Sequence, residues 1–423
     1  MFANRGFVLL WLASVTSALG NGMRWAALPL LAAGQSGDPW VISLITAAEQ
    51  LPWLLFGLFA GVLADRFDRR RLARWSDLAR AAVMAAFAAA VACGYAPIAL
   101  IAVLGFVLTC GDTVAGPALA GLLPAVVPPS DRPAANGRLL AGVQITDTML
   151  GATAGAALMA VAAVAPFAID AATFLASAVF LTLLRAPWTG SNTAARPGPP
   201  PVPAAGRGRI RAELTGGLRL MWANPALRGL GLLQAVISVA YAAVLAVLVL
   251  FATRALGLGP AGFGLLLAVF AVGGVAGGVG AGRLARRVGM RRGLIAAVAG
   301  SGLCVAALGA VHGAPAAVVV AGLLGATSTL GDALAATMRQ ALVPDAYLGR
   351  VTSAFRIVGL GAAPAGALAA GALAHAYGLR APFLAGAVLL AAGLAGCAPL
   401  LRAPLTTSPG AWPTPAASPT SRP

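Results

Sequence analysis

Twelve long apolar runs divide this chain, and no other feature restricts its fold so much. Crossing the hydrocarbon of a bilayer as an α-helix takes about 20 mostly apolar residues. Runs of that kind stand at 7–33, 40–64, 75–95, 97–123, 139–164 and 166–185, then at 226–251, 260–282, 293–312, 315–338, 351–374 and 381–401. Of the 423 residues, 60% are hydrophobic and only 10% charged, against about 25% charged in a soluble domain. Single soluble cores stop growing near roughly 300 residues, so lipid is the expected solvent and the expected fold is an all-α membrane protein. The first run has Arg5 ahead of it and small residues near Ala32, as a signal peptide would. Its length and its internal Arg24 mark it instead as a mature helix.

The formal charge is +17, and every one of the 29 basic residues is arginine. A basic balance can signal nucleic acid, but here the arginines sit in short clusters between apolar runs, which is a topology pattern; no nucleic-acid partner is expected. Arg66, Arg69, Arg70, Arg71 and Arg74 lie between the second and third runs. Arg283, Arg286, Arg287, Arg291 and Arg292 lie between the eighth and ninth, and Arg196, Arg207, Arg209, Arg211 and Arg219 follow the sixth. The alternate connections hold essentially Arg254 and Arg380. The positive-inside rule then places both termini in the cytoplasm of a bacterial inner membrane.

The segment 196–208, RPGPPPVPAAGRG, cannot be helical throughout. It predicts a bundle at 1–185, a cytoplasmic Pro/Arg-rich linker at 186–225 and a second bundle at 226–402. The mixed stretch Ile210 to Trp222 has the composition of an interfacial segment, and the Pro/Ser/Thr-rich tail 403–423 that of a disordered one. Cys93, Cys110, Cys304 and Cys397 are scattered in or beside apolar runs and read as small core residues, with no disulfide or metal spacing. A chain without lysine cannot form the GxxxxGK[ST] loop of an ATP-driven pump. His312 and His375, near the outer ends of their runs, have no catalytic context. Neither a cofactor, a metal nor an enzymatic activity is expected.

The two halves repeat. Gly61-Val-Leu-Ala-Asp65-Arg66-Phe-Asp68-Arg69-Arg70 joins runs two and three, and Gly282-Arg-Leu-Ala-Arg286-Arg287-Val-Gly289-Met-Arg291-Arg292 joins runs eight and nine, 221 residues on. Thr109-Cys-Gly111-Asp112 and Thr329-Leu-Gly331-Asp332 are each followed, twelve residues after the aspartate, by Pro124 and Pro344. Gly137-Arg138 mirrors Gly349-Arg350. Two six-helix bundles related by parallel repetition, with a site between them near the midplane, suit a secondary transporter.

The string at 61–71 resembles the loop 2–3 signature of the major facilitator superfamily, G-x-L-(A/G)-D-R-x-G-R-R, with Asp68 where glycine is usual. Aspartate tolerates unusual φ better than most residues, so a turn is still expected there. Gly217-Leu-Arg219, Asn224-Pro225-Ala-Leu-Arg228, Pro344-Asp345 and Leu348-Gly349-Arg350 look like the enterobactin and macrolide exporter branch. The resemblance covers about 5 to 402 and implies twelve helices in two pseudo-symmetric bundles, alternating access, and a cavity lined by helices 1, 4, 7 and 10. It also implies a cytoplasmic gate in which Asp65 and the following arginines latch helix ends, with Asp65 at the start of helix 11 near Val351. Gly61, Asp65, Arg66, Arg69, Arg70, Gly282, Arg286 and Arg287 belong to that gate, and Asp77 and Arg80, one turn apart, are expected to form an internal pair that steadies it. Drug–proton antiporters of the superfamily carry G-x-x-x-G-P-x-x-G-G in helix 5; here Gly151-Ala-Thr-Ala-Gly155-Ala lacks the proline.

A charge at the bilayer centre costs about 2.5–3.5 kcal/mol on insertion scales, so each intramembrane charge needs a partner, water or a proton. Arg24, Glu49, Asp112, Asp147, Asp332 and Arg356 are such residues and form the candidate proton-coupling and substrate set. Arg24 follows the polar, glycine-flanked Gly20-Asn21-Gly22, expected to be flexible. Glu49 is its expected partner or a proton site. Asp112 and Asp332 are repeat mates, which suits a structural role in both halves equally well. Asp147 faces Gly359 and Arg356 faces Gln144 in the repeat, so symmetry does not explain them. Asp170 is expected to serve the start of helix 6. Trp25, Trp53, Phe56, Tyr241, Phe270 and Phe355 offer flat apolar surfaces. The expected function is proton-driven export of an amphipathic small molecule by a monomer. A nutrient importer, or a receptor on the same scaffold, is the alternative.

Overall fold

The computed structural model describes residues 4–184 and 216–401, without the side chains of 58–66, 133, 345–346, 349 and 360. The expected linker arginines Arg196, Arg207, Arg209 and Arg211, and the tail 403–423, lie outside the described residues. Twelve helices follow the twelve apolar runs. The first six are α1 (Arg5–Gln35), α2 (Pro39–Arg66), α3 (Arg69–Ala92), α4 (Ile98–Ala120), α5 (132–161) and α6 (Ala165–Leu183). The second six are α7 (Pro225–Leu250), α8 (Pro260–Val288), α9 (Met290–Ala310), α10 (Ala314–Leu342), α11 (Asp345–Tyr377) and α12 (Ala381–Leu401). Among the described residues, eleven are singly long and apolar enough to cross a bilayer. The twelfth, α5, is continuous, but a π-helical turn at Ile145–Gly151 splits it into Arg132–Gln144 and Ala152–Val161.

Several helices outrun their apolar runs. α3 starts at Arg69 rather than 75, α8 continues to Val288, and α11 starts at Asp345, not Val351. Hydropathy marks only the part of a helix in lipid, whereas arginine is a good helix former and carries the helix on into water. The start expected to receive Asp65 therefore lies six residues earlier.

The position where Asp68 replaces the signature glycine is solved differently in each half. Asp68 keeps an ordinary φ of −57° and caps α3, its side chain accepting from the Arg70 and Arg71 amides at 2.9 and 3.0 Å. Its repeat mate Gly289, 221 residues on, takes φ +85° between α8 and α9. The expected unusual φ at Asp68 is thus replaced by an N-cap, which satisfies two otherwise orphaned donors.

Within the first bundle α1 packs on α6 and α5, α2 on α4, and α3 on α4 and α6. In the second, α7 packs on α11 and α12, α8 on α10, and α9 on α10 and α12. Lipid supplies no hydrophobic drive between helices, so close approach of small residues has to hold them. A Cβ at Gly22 would overlap the Asp147 carbonyl, and one at Gly155 the Met23 backbone, which binds α1 to α5. Gly366 meets the Val239 backbone in the same way between α11 and α7, the repeat mates of α5 and α1. Gly20-Asn21-Gly22, expected to be flexible, is instead helical and tightly packed, with Gly20 against Asp170 and Thr173.

The halves meet along two symmetric seams, α2 with α11 and α5 with α8. Described side-chain contacts on the α2–α11 seam run from the face opposite the arginine-rich loops down to mid-helix. Asp38 meets His375 at 3.0 Å, Gly371 leaves no room for a Cβ beside Ser43, and Arg356 lies over the Trp53 ring at 5.0 Å. On the same face Arg254 fills the space above Gly37, and Arg380 donates to the last carbonyls of α9, Gly309, Ala310 and Val311, at 3.1 to 3.3 Å. The two arginines that depart from the topology rule are thus tied into the structure. The described part of Ile210 to Trp222 is a helix at 216–223 that packs Gly217 on the Arg350 carbonyl and Met221 on Gly231, docked on the second bundle rather than standing free. Cys93 is exposed at the end of α3, contrary to its expected place in the core.

Candidate transport site

Asp112 of α4 is the hub of a buried charge cluster in the first bundle. Arg24 of α1 donates to its Oδ2 at 2.8 Å, and Asn21, one turn earlier, donates to Oδ1 at 3.2 Å. Arg80 of α3 also pairs with Asp112 and, with its other terminal nitrogen, with Asp77. Asp77 accepts from the Ser177 hydroxyl of α6 at 2.6 Å. The Arg80 guanidinium lies over the Phe174 ring at 4.2 Å. Arg24 is 5% exposed, Arg80 3%, and Asp77 and Asp170 not at all. The helical spacing of 77 and 80 puts both on one face of α3, and Gly111 makes room for the Arg80 methylenes.

The expected partnership of Glu49 with Arg24 is not the one formed, since Asp112 takes that place. Glu49 is half-buried, its chain against Gly105, with no hydrogen bond or ion pair among the described residues. Asp147 likewise has none; it sits in the π-helical turn of α5. Both lie within electrostatic reach of Arg24, as does Asp170. Asp170 is five residues into α6 and faces α1 rather than serving the helix start. Among the described residues its Oδ2 is buried without a hydrogen-bond partner, and so are Nε and Nη1 of Arg24. Five carboxylates therefore surround two guanidiniums, with donors and acceptors left over on both sides.

The second bundle breaks the repeat. Asp332 is exposed and has no hydrogen bond or ion pair among the described residues. It borders a cavity of about 40 Å³ between α7, α9, α10 and α12, lined also by Tyr241, Ser301 and Thr327. At the 221-residue offset Arg80 corresponds to Ser301 and Asp77 to Val298. The space that Arg80 fills in one half is thus open in the other. A structural role common to Asp112 and Asp332 does not hold.

At the arginine-rich face, Arg69 donates to the Gly121 carbonyl after α4 at 3.0 Å. Arg70 donates to Leu181 and Thr182 of α6, both at 2.7 Å. These cations sit at helix C-termini, where the macrodipole favours them. Asp77 and Arg80 form the expected internal pair, but in the buried cluster rather than at the gate. Gly61, Asp65 and Arg66 fall in 58–66, whose side chains lie outside the described residues. Gly282, Arg286 and Arg287 are exposed at the end of α8.

The family model for transmembrane secretion effectors matches residues 1–415. The chain belongs to that family, a branch of the major facilitator superfamily. It is 26% identical over 389 residues to the multidrug efflux pump Tap of Mycolicibacterium fortuitum, covering 90% of this chain and 92% of that one. It is 27% identical over 394 residues to Tap of Mycobacterium tuberculosis, covering 90% of each. A 122-residue stretch, 29% of this chain and 30% of the relative, is 25% identical to macrolide efflux protein A of Streptococcus pyogenes. Among solved structures, an inward-facing bacterial homologue of the iron transporter ferroportin aligns with TM-score 0.73 at 15% identity, over 94% of this chain and 99% of that one. An inward-facing, occupied bacterial homologue of Spinster aligns with TM-score 0.73 at 16% identity, over 96% and 99%. The chain shares its fold with these structures over almost its whole length.

Membership makes the chain a transporter embedded in a membrane and acting on a small molecule. Two parts of the buried cluster are not marked as such in the sequence. Asp170 reads as a helix-start group, but its sixth place in α6 is past the first turn. Ser17 and Ser177, which touch Arg80 and Asp77, carry no charge to mark them. Arg339 of α10, away from the cluster, lies over the Phe355 ring at 5.0 Å. That contact makes Phe355 a packing residue. Tyr241 and Phe270 lie 6.3 Å apart and Phe56 stands edge-on to Phe106 at 6.4 Å, while Trp25 is exposed.

Proposed function

We propose that this transporter exports an amphipathic small molecule from the cytoplasm in exchange for protons, working as a monomer. The arginine-rich face is then cytoplasmic, with both termini and the linker 186–225 on that side. The seams close the outer face, and the site opens inward. Relatives named for multidrug and macrolide efflux support the direction. The missing helix 5 proline removes one antiporter device, but Gly151 and Gly155 still bring α5 against α1.

The observation that carries the proton reading is the unequal pairing around Arg24. One of its nitrogens is held by Asp112 while two buried donors have no partner. Glu49, Asp147 and Asp170 lie nearby with unclaimed oxygens. A proton arriving on one carboxylate and leaving another lets the guanidinium change partners. Because Asp112 is shared with Arg80 and Asn21, that exchange pulls on α1, α3 and α4 together.

Everted vesicles energised to an acidic, positive interior test this. Macrolides, siderophores and cationic dyes are added while interior pH is followed. Proton release elicited by one class, lost in Glu49→Gln or Asp147→Asn, is the expected result. No release with any class, together with uptake driven by the opposite gradient, would replace export by import.

A further inference from the structure

We propose that the cavity beneath Asp332 binds the cationic nitrogen of a substrate, a guanidinium or primary ammonium on an apolar group, in the place that the Arg80 side chain occupies in the other half. This deepens the export reading and rests on it for the word substrate, but the binding itself does not.

The repeat supplies the template. In the first half, α3 sends Arg80 between α1, α4 and α6 to the carboxylate of Asp112, with Phe174 beneath its charge. In the second half, the mates α9, α7, α10 and α12 surround the same space, and α9 contributes Val298, Ser301 and Val305, with Ser301 at the position of Arg80 and no charged side chain. The carboxylate is kept and its cation is not. Asp332 remains without an ion pair among the described residues, at the edge of a cavity with Tyr241 and Val305 as apolar walls and Ser301, Thr327 and Ser328 as hydroxyls. Ser301 donates to the Ala297 carbonyl at 3.0 Å, and its hydroxyl lies 3.0 Å from that of Thr327. Both hydroxyl oxygens retain lone pairs for an N–H donor.

About 40 Å³ has room for roughly three waters, the size of a cationic head rather than of a whole drug. The exposed Asp332 leaves a way in, so a bound molecule keeps its bulk outside and only its nitrogen inside. A carboxylate among apolar walls attracts a cation more strongly than it would in water. The same walls give a neutral amide no comparable reward. Selectivity is therefore for charge first and shape second.

The test uses the purified full chain in lipid nanodiscs, with n-propylguanidinium as probe, an arginine side chain freed from its backbone, and n-propylurea as its neutral counterpart. Calorimetric titration is expected to show binding of the cation and none of the urea. Asp332→Asn is expected to weaken that binding at least tenfold. Ser301→Arg, which places a tethered guanidinium at Asp332, is expected to abolish it and to raise the melting temperature. Equal binding of cation and urea, binding unchanged in Asp332→Asn, or no binding at all would each overturn the proposal. If Ser301→Arg does not fold, the Asp332→Asn comparison still decides. Antiport in vesicles alongside failed cation binding would leave export standing and remove only this site, whereas cation binding without antiport would do the reverse.

Discussion

The two repeat-related aspartates offer a measurement with its control inside one molecule. Asp112→Asn keeps the shape of the side chain and removes its charge, leaving Arg24 with neutral acceptors alone, the new amide oxygen and Asn21 at 3.4 Å. The side chains of the Arg24–Asp112 pair are 6% and 15% exposed, so water replaces little of what is lost. Breaking a buried pair from one side costs about 3–5 kcal/mol. The 15% opening at Asp112, and Asp77 as a remaining partner for Arg80, place this case near the lower end. A loss of about 3 kcal/mol is a factor of roughly 150 in the folding equilibrium. Asp332→Asn, exposed and unpaired, is expected to stay within about 0.5 kcal/mol of wild type. Unfolding in mixed micelles, followed by tryptophan fluorescence against denaturing detergent, measures both. Arg24→Met combined with Asp112→Asn should recover part of the loss, since the two sites share one interaction. Equal destabilisation by the two asparagine variants, or strict additivity in the double variant, would refute the assignment of Asp112 as hub.

Three further outcomes follow from packing and caps. Asp68→Ala should cost about 1 kcal/mol and Asp68→Gly only a few tenths, read from the same unfolding assay. Gly155→Leu forces a side chain into the Met23 backbone and should destabilise by about 1–3 kcal/mol while membrane insertion, measured by fractionation, is unchanged. Asp38 is held below the ordinary carboxylate range first by the Trp40 amide and then by His375. A depressed carboxylate contributes above its unfolded value and loses that contribution as pH falls through the folded one. Spin labels at Gly34 and Tyr377 should therefore move apart as the solution is acidified below about pH 4, and this response should vanish in Asp38→Asn.

The number of helices, their pairing into halves and the membrane solvent were legible because they rest on apolar length and on repetition, both properties of the sequence itself. Helix ends were not, since Arg69 and Asp345 are as content in a helix above the bilayer as in a loop. Within the site the charges were all visible, and so was the Asp77–Arg80 pair within α3, but the partners on other helices were not. Glu49 reads from sequence as a proton site or the partner of Arg24, whereas the carboxylate that reaches Arg24 is Asp112 on α4; Asp77 and Arg80 pair as their spacing predicts, in the buried cluster rather than at the gate. Spacing along one helix settles which residues share a face. It leaves open which neighbouring helix that face meets, and Arg80 is pointed at Asp112 by the small Gly111 on a different helix.

The alternation at positions 80 and 301 gives the asymmetry of the halves a physical meaning. A carboxylate retained at 112 and 332 under twofold repetition has no reason to differ in environment unless its partner differs. On α3 the partner is covalently supplied, and the charge cluster draws in Arg24, Asp77 and the hydroxyls of Ser17 and Ser177. On α9 a serine leaves the carboxylate uncompensated, and an uncompensated charge at membrane depth is costly unless water or a ligand answers it. On the reading proposed above, the first half carries the charge network that trades the proton, and the second the opening that takes a charge from outside. One difference between the repeats, arginine at 80 and serine at 301, is enough to separate a closed charge network from an open carboxylate.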